Sequence, residues 1–182
     1  TFFLDDNTHI IKNRACSYLE ENGKLKNQIM RYDLVGSGGI YSTMSDLYLW
    51  DQNFYHNKLG KGTMSLIEKL HRENALNNGR LSGIGYANGV QNGVYRGLKT
   101  VRHGGALAGY RSYLYRFPEQ HFSILILGNV NTINVDRLPF EIANILLEKE
   151  LSPLPLANTN TNTNTPNNHP VGVIKEFQPE NI

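Results

Sequence analysis

The sequence predicts an α+β fold, in which an antiparallel sheet is flanked by helices. β-Prone segments separated by short turn signals run from residue 84 to residue 127. Apolar residues recur at helical spacing on both sides of that region. Because the turns are too short for a crossover helix, neighbouring strands should run antiparallel.

Before the sheet, the sequence predicts two helices. Thr43 can cap a helix N-terminus, and Asp46 places a carboxylate in the first turn, where the helix dipole favours it. We therefore expect a helix over residues 44–55 and a second one over residues 64–73. The apolar residues on one face of the first helix are Leu47, Trp50 and Phe54.

Residues 1–30 are polar and irregular, with a turn signal at Glu21-Asn22-Gly23. Short strands are expected at residues 15–19 and 29–34. These are the least regular predicted elements.

Four strands make up the predicted sheet. They are residues 84–90, 94–102, 109–117 and 121–127. Gln91-Asn92-Gly93 is predicted to turn the first pair, because Asn-Gly between β-prone runs is a strong hairpin signal. Pro118-Glu119-Gln120 is predicted to turn the last pair, since the proline ring presets φ.

A helix over Arg137–Glu150, capped by Asn134 or Asp136, is expected to pack on one face of the sheet. Residues 152–170 are rich in Pro, Asn and Thr, a composition that predicts a flexible linker. Residues 171–182 are then a tail or the start of a further segment.

Composition excludes several classes of function. Lys and Arg number 18 against 16 Asp and Glu, with no basic run, so neither nucleic acid nor an anionic membrane surface is expected as a partner. The lone Cys16 and the spacing of the histidines predict no metal site and no cofactor. Gly36-Ser37-Gly38-Gly39 lacks the lysine of a phosphate loop and is interpreted as a tight loop entering a helix.

No apolar stretch is long enough for a transmembrane segment in this chain. The chain begins with threonine, and we therefore expect it to be a piece of a longer protein. The absence of a signal peptide then says nothing about its compartment.

His103 is the histidine most open to a functional interpretation, because Gly104 and Gly105 follow it at the end of a predicted strand. Glycine there lets the backbone bend or lets another group approach it. The alternative from the residues alone is a partly buried histidine bonded to backbone.

Five pieces in order carry a family resemblance. They are Gly38-Gly39-Ile40-Tyr41-Ser42-Thr43, Asp46-Leu47 with Trp50, His103-Gly104-Gly105 with Gly109-Tyr110, Phe117-Pro118-Glu119-Gln120, and Leu127-Gly128-Asn129. Together they resemble the C-terminal half of the serine β-lactamase-related hydrolases. These penicillin-binding-protein-like enzymes include class C β-lactamases, DD-peptidases and some esterases. The resemblance covers residues 1–151, and it implies a fold that is incomplete at its N-terminal side.

The resemblance also implies a site. Family members use the serine of a Ser-x-x-Lys motif as nucleophile, and a third motif lines the cleft from the sheet edge. Only the third motif maps here, which implies a catalytic role for His103, contacting the carboxylate or carbonyl region of the substrate. Gly104 and Gly105 would let an extended substrate lie along the strand, and the Ala106 amide would be an oxyanion-hole donor.

The chain departs from the family pattern, because no serine is followed three residues later by lysine. Tyr86-Ala87-Asn88 matches the family's Tyr-x-Asn literally, but it lies in a strand and is interpreted as a coincidence. We expect the C-terminal part of a serine hydrolase that acts through an acyl-enzyme on a peptide, lactam or ester bond and is inactive as this chain alone. The alternative is a non-catalytic binding or regulatory relative. The expected partner is a small-molecule or peptide substrate, and the family implies a periplasmic or secreted location.

Overall fold

The computed structural model describes residues 1–3, 10–29, 36–56, 67, 69–72 and 85–153. In chain order its elements are β1 (Phe2–Phe3), β2 (Tyr18–Glu21), β3 (Lys24–Asn27), β4 (Ile40–Tyr41), α1 (Met44–His56), β5 (Gln91–Tyr95), β6 (Leu98–Leu107), β7 (Tyr110–Phe117), β8 (Phe122–Gly128) and α2 (Leu138–Leu146). The central sheet has the order β5-β6-β7-β8, and every neighbouring pair is antiparallel. The predicted α+β class is confirmed.

The first predicted helix is present with its predicted cap. The backbone N–H of Asp46 donates to Thr43 Oγ1 at 3.1 Å, and α1 continues to His56. Its fully buried side chains are the polar Asp51 and Asn53, whereas Trp50 is 40% exposed. The predicted apolar face is therefore not the face that α1 buries most deeply. Of the second predicted helix, residues 67 and 69–72 are described; residues 67 and 69–71 are helical, and residue 72 lies in a bend.

The first predicted hairpin turn is wrong. Gln91-Asn92-Gly93 lies inside β5, and the chain reverses at Arg96 and Gly97 instead, with φ of 46° and 88°. A two-residue turn with positive φ at both positions suits the twist of a hairpin. The Arg96 side chain holds the turn, since its Nε donates to the Ser152 carbonyl at 2.7 Å and its Nη1 to Asn144 Oδ1 at 2.8 Å. These partners are about fifty residues away in sequence, so the residues next to Arg96 could not indicate that the chain turns there.

The second correction concerns β6, which was expected to end at Arg102 but runs to Leu107. The residues His103 to Ala106 therefore lie within a strand and pair with Leu114 to Arg111 of β7. The tight turn after β7 is confirmed, because Pro118–Gln120 form one 3-10 turn that leads into β8.

The N-terminal segment forms a small hairpin of β2 and β3, and the strand expected at residues 15–19 lies at Tyr18–Glu21 instead. Its turn is the predicted one, with φ of 53° at Asn22 and 73° at Gly23. Residues 30–34 lie outside the described residues, so the strand expected at residues 29–34 stays a prediction. The hairpin is attached to the sheet by the Tyr18 N–H, which donates to the Asn129 carbonyl at 2.8 Å.

Helix α2 packs on one face of the sheet, as predicted. Buried apolar side chains from the sheet, from α2 and from the residues that follow α2 form one cluster: Tyr115, Phe117, Ile124, Ala143, Leu147 and Leu151. The helix begins at Leu138 and ends at Leu146, shorter than the expected Arg137–Glu150. Asn134 contributes to its start, because Asn134 Oδ1 accepts the N–H of Arg137 at 3.0 Å.

The opposite face of the sheet meets α1 through a buried ion pair. Arg116 of β7 is 1% exposed, and its Nε donates to Asp51 Oδ1 at 2.6 Å. The same oxygen accepts the hydroxyl of Ser123 at 2.7 Å. The guanidinium carbon also lies 4.0 Å from the centre of the Phe54 ring, so the charge is packed against an aromatic face.

The predicted linker lies outside the described residues from residue 154 onward, as does the predicted tail. The division into residues 1–151, 152–170 and 171–182 stays a prediction. In the described ranges, no helix has the length and apolar character that crossing a membrane requires.

Candidate active site at the open edge of the sheet

The site predicted from the sequence lies where β6 extends beyond its neighbour β5. The pairing with β5 ends at Arg102, which lies opposite Gln91. In the part of the chain that the structure describes, no strand pairs with this side of β6 over residues 103–107. We call this stretch, His103–Leu107, the open edge.

The register of the β6–β7 hairpin shows which backbone groups the open edge presents. Two residues, Ala108 and Gly109, separate the paired Leu107 and Tyr110, so that pair exchanges backbone hydrogen bonds. Because hydrogen-bonded and non-hydrogen-bonded pairs alternate along a ladder, the N–H groups of Gly104 and Ala106 point away from β7. Both amides are thus directed outward at the open edge.

A cavity of about 530 Å³ is lined in part by residues of the open edge. Its wall is formed by Gly104, Gly105 and Ala106, by Arg111 on β7, and by residues 131–136 between β8 and α2. The volume lies in the range of small-molecule sites. Three of the four predicted site residues therefore line one cavity, whereas His103 is not among its lining residues.

The glycines of the open edge lie close to side chains of β7. A Cβ at Gly105 would collide with Ser112 Oγ on β7, and one at Gly104 would lie 3.0 Å from the Tyr113 ring. The absence of side chains at these two positions leaves the outer backbone of the strand accessible.

The far wall of the cavity is held by the N-terminal hairpin. The Glu20 N–H donates to Asn131 Oδ1 at 2.7 Å, and the Asn131 N–H donates to the Tyr18 carbonyl at 3.3 Å. On the near side, the buried Ser17 hydroxyl oxygen accepts the Gly109 N–H at 2.6 Å. Segments more than 90 residues apart in sequence therefore frame the cavity.

Arg111 brings a positive charge to the cavity wall. Its Nη1 donates to the carbonyls of Ala108 and Tyr110 at 3.1 and 2.8 Å, which holds the guanidinium at the hairpin end. Asp136, on the opposite wall, is exposed. Burial raises the pKa of the neighbouring Tyr113 hydroxyl.

His103 lies on the other face of β6, because side chains alternate along a strand. It is exposed, and its Nε2 lies 3.2 Å from the hydroxyl oxygen of Tyr86. Its observed side-chain partner is therefore a phenol, in contrast to the alternative of a partly buried histidine bonded to backbone.

Tyr86 is the residue that the sequence analysis did not assign to the site. Its signal was the literal Tyr-x-Asn match, which was interpreted as a coincidence because of its place in the chain. The structure brings it next to His103 through an isolated bridge between Tyr86 and Gln91, at the start of β5. Among the described residues, no cluster of three or more His, Cys, Asp or Glu side chains could hold a metal ion.

No protein-family model matches this chain, and no curated protein matches it. Among solved structures, the octameric penicillin-binding protein homologue from Pyrococcus abyssi superimposes with a TM-score of 0.66 at 24% sequence identity. The chain has a penicillin-binding-protein-like fold. The match covers 82% of this chain but 35% of the archaeal protein, so the chain spans about a third of that protein's length. At this identity the similarity shows the fold and leaves activity to separate argument.

Proposed function

We propose that this chain is the C-terminal part of a serine hydrolase of the β-lactamase and penicillin-binding-protein type. It would act through an acyl-enzyme on a peptide, lactam or ester bond. The nucleophile of the Ser-x-x-Lys motif would lie outside this chain. The observation that carries the proposal is the open edge with its outward amides beside the cavity.

An unpaired strand edge can bind an extended substrate through main-chain hydrogen bonds. Gly104 and Gly105 favour this use, because neither adds a side chain between the strand and a ligand. A peptide, or a lactam that resembles one, offers the amide and carbonyl groups that such an edge pairs with. The substrate would lie along residues 103–106.

The Ala106 amide is the proposed oxyanion-hole donor of this chain. A donor in that role must point to where negative charge develops on the carbonyl oxygen during acyl transfer. The strand register supports this, since the Ala106 N–H is directed away from β7 into the open edge. His103 would contact the carboxylate or carbonyl region of the substrate.

The chain by itself is predicted to be inactive, because acyl transfer needs an activated nucleophile next to a base. Purified chain incubated with a fluorescent penicillin and with a fluorophosphonate should gain no covalent mass. Covalent labelling of any serine in this chain would reject the assignment of the nucleophile to a region outside it.

The coding region upstream of Thr1 gives the second test. An in-frame Ser-x-x-Lys followed by Tyr-x-Asn is expected, and the longer product should be labelled on that serine. An upstream region without that serine would reject the proposed hydrolase and favour a non-catalytic relative.

In the longer product, Ala106→Pro would remove the proposed donor without removing a bond to β7. We expect kcat to fall by about 10²–10³-fold, the usual cost of losing one oxyanion-hole donor. Ala106→Ser keeps the N–H and is the matched control, with kcat expected to stay near that of the parent. Equal activity of the two variants, both folded by circular dichroism, would remove Ala106 from the oxyanion hole.

A further inference from the structure

The contact between Tyr86 and His103 has the geometry of a hydrogen bond between side-chain ends. The hydroxyl oxygen and Nε2 are 3.2 Å apart, whereas the ring centres are 6.0 Å apart with the planes inclined at 57°. The rings are therefore not stacked. The polar atoms are the closest described link between them.

The backbone around Tyr86 is held by a short chain reversal. The Ala87 N–H donates to the Val90 carbonyl at 2.7 Å, and the Asn92 N–H donates to the Gly85 carbonyl at 2.7 Å. Gly85 has φ of +72°, and a Cβ there would collide with the Asn92 carbonyl. Ala87 is buried. A short turn thus holds Tyr86 beside the start of β5, although its own side chain is 41% exposed.

The chemistry of the two groups decides which one donates. A phenol is a stronger acid than the N–H of a neutral imidazole, and an imidazole nitrogen is a better acceptor than a phenol oxygen. With neutral imidazole, the favoured bond runs from the Tyr86 hydroxyl to His103 Nε2. The ring proton must then be on Nδ1.

We propose that Tyr86 is a positioning residue of the site, which fixes the ring orientation of His103 and holds its neutral form as the Nδ1–H tautomer. The nitrogen that remains for a ligand is then a donor. His103 would recognise an acceptor such as a carbonyl or carboxylate oxygen, rather than remove a proton as a base. The role of His103 towards a substrate rests on the proposed function, whereas the assignment of the tautomer rests only on the contact with Tyr86.

The tautomer can be measured directly in the purified 182-residue chain. The experiment is a long-range ¹H–¹⁵N correlation spectrum of ¹⁵N-histidine-labelled chain, at a pH where the spectrum shows neutral imidazole. The signal that disappears in His103→Asn identifies His103 among the six histidines. We expect a pyrrole-type nitrogen at Nδ1 and a pyridine-type nitrogen at Nε2.

Tyr86→Phe removes only the hydroxyl, and we expect the His103 pattern to shift towards Nε2–H, the form that an unrestrained imidazole favours. Tyr48→Phe is the matched control, because Tyr48 is an exposed tyrosine on α1, and it should leave the pattern unchanged. Nε2–H as the main form in the parent chain would overturn the inference, even if Tyr86→Phe failed to fold. An unchanged pattern in a folded Tyr86→Phe variant would overturn it as well.

This result is independent of the tests of the hydrolase. An Nδ1–H pattern in a protein without the upstream serine would keep the Tyr86–His103 inference and reject the hydrolase. An Nε2–H pattern in a protein whose upstream serine is labelled would keep the hydrolase and reject a positioning role for Tyr86.

Discussion

Replacing Asp51 with asparagine should destabilise the chain far more than replacing any exposed acidic partner. Asp51 is the counter-charge of Arg116, which is 1% exposed, so the variant leaves a guanidinium charge buried without compensation. Arg116 Nη2 already lacks a hydrogen-bond partner among the described residues. No other carboxylate is described within reach of it.

The expected size follows from this burial. Breaking a buried ion pair by removing one partner costs about 3–5 kcal/mol. The asparagine oxygen can still accept from Arg116 Nε and from Ser123, so we expect the lower end, about 3 kcal/mol. A loss of that size lowers the ratio of folded to unfolded chain more than a hundredfold. It is a large share of the roughly 5–15 kcal/mol that stabilises a domain.

Urea unfolding followed by far-ultraviolet circular dichroism measures this loss. Glu141→Gln is the matched control, since it breaks the partly exposed pair of Arg137 with Glu141 at the start of α2, where a loss of about 0.3–0.5 kcal/mol is expected. A double variant, Asp51→Leu with Arg116→Met, should recover most of the stability, because apolar residues of similar volume can replace a buried pair. If Asp51→Asn cost no more than Glu141→Gln, the buried pair would not connect α1 to the sheet as described.

Two further predictions concern packing and pH. Gly105→Ala should cost about 0.5–1.5 kcal/mol, because the Ser112 hydroxyl must rotate away from the new Cβ, and adding Ser112→Ala should restore most of it. Gly38→Ala, whose Cβ would meet open space, should be near neutral, and equal urea midpoints for both glycine variants would contradict the packing argument. Burial, and then the charge of Arg116, lower the pKa of His71 below its ordinary 6.5, so the unfolded chain takes up a proton first as the pH falls. The contribution of neutral His71 to the free energy of unfolding is present above about pH 6.5 and is lost as the pH falls through the folded-state pKa. His71→Phe should therefore reduce the dependence of the free energy of unfolding on pH between pH 8 and 5. Parallel slopes in parent and variant would refute it.

Local signals were sufficient for much of the fold. The Thr43 cap, the Asn22-Gly23 turn and the turn at Pro118 each depend on residues within four positions of one another, and the structure contains all three. The helix α2 was likewise predicted, but not the face that it buries, because Ala143 and Leu147 are buried whereas Ile145 and Leu146 are more than 60% exposed. In such elements the sequence encodes the structure directly, because the partners of each backbone group are neighbours in the chain.

The site was only partly predictable, because several of its contacts join segments that are not neighbours in the chain. The His103-Gly104-Gly105 segment could be selected from its residue types, but the extension of β6 depends on pairing with β7. Tyr86 reaches His103 only because the reversal after Gly85 brings two distant segments together. A three-residue pattern could not distinguish that contact from a chance match.

What the sequence determined by itself is therefore the set of local elements and the candidate segment at residues 103–106. Only the tertiary structure decided that Asp51 is buried, that the hairpin turns at Arg96 rather than at Asn92, and that the open edge borders a cavity. The first two depend on partners 48 or more residues away, Arg116 for Asp51 and Asn144 for Arg96, and the cavity depends on residues 131–136 beyond β8. The free energy of such contacts is gained only when distant segments pack together, so no local pattern of residues can specify them.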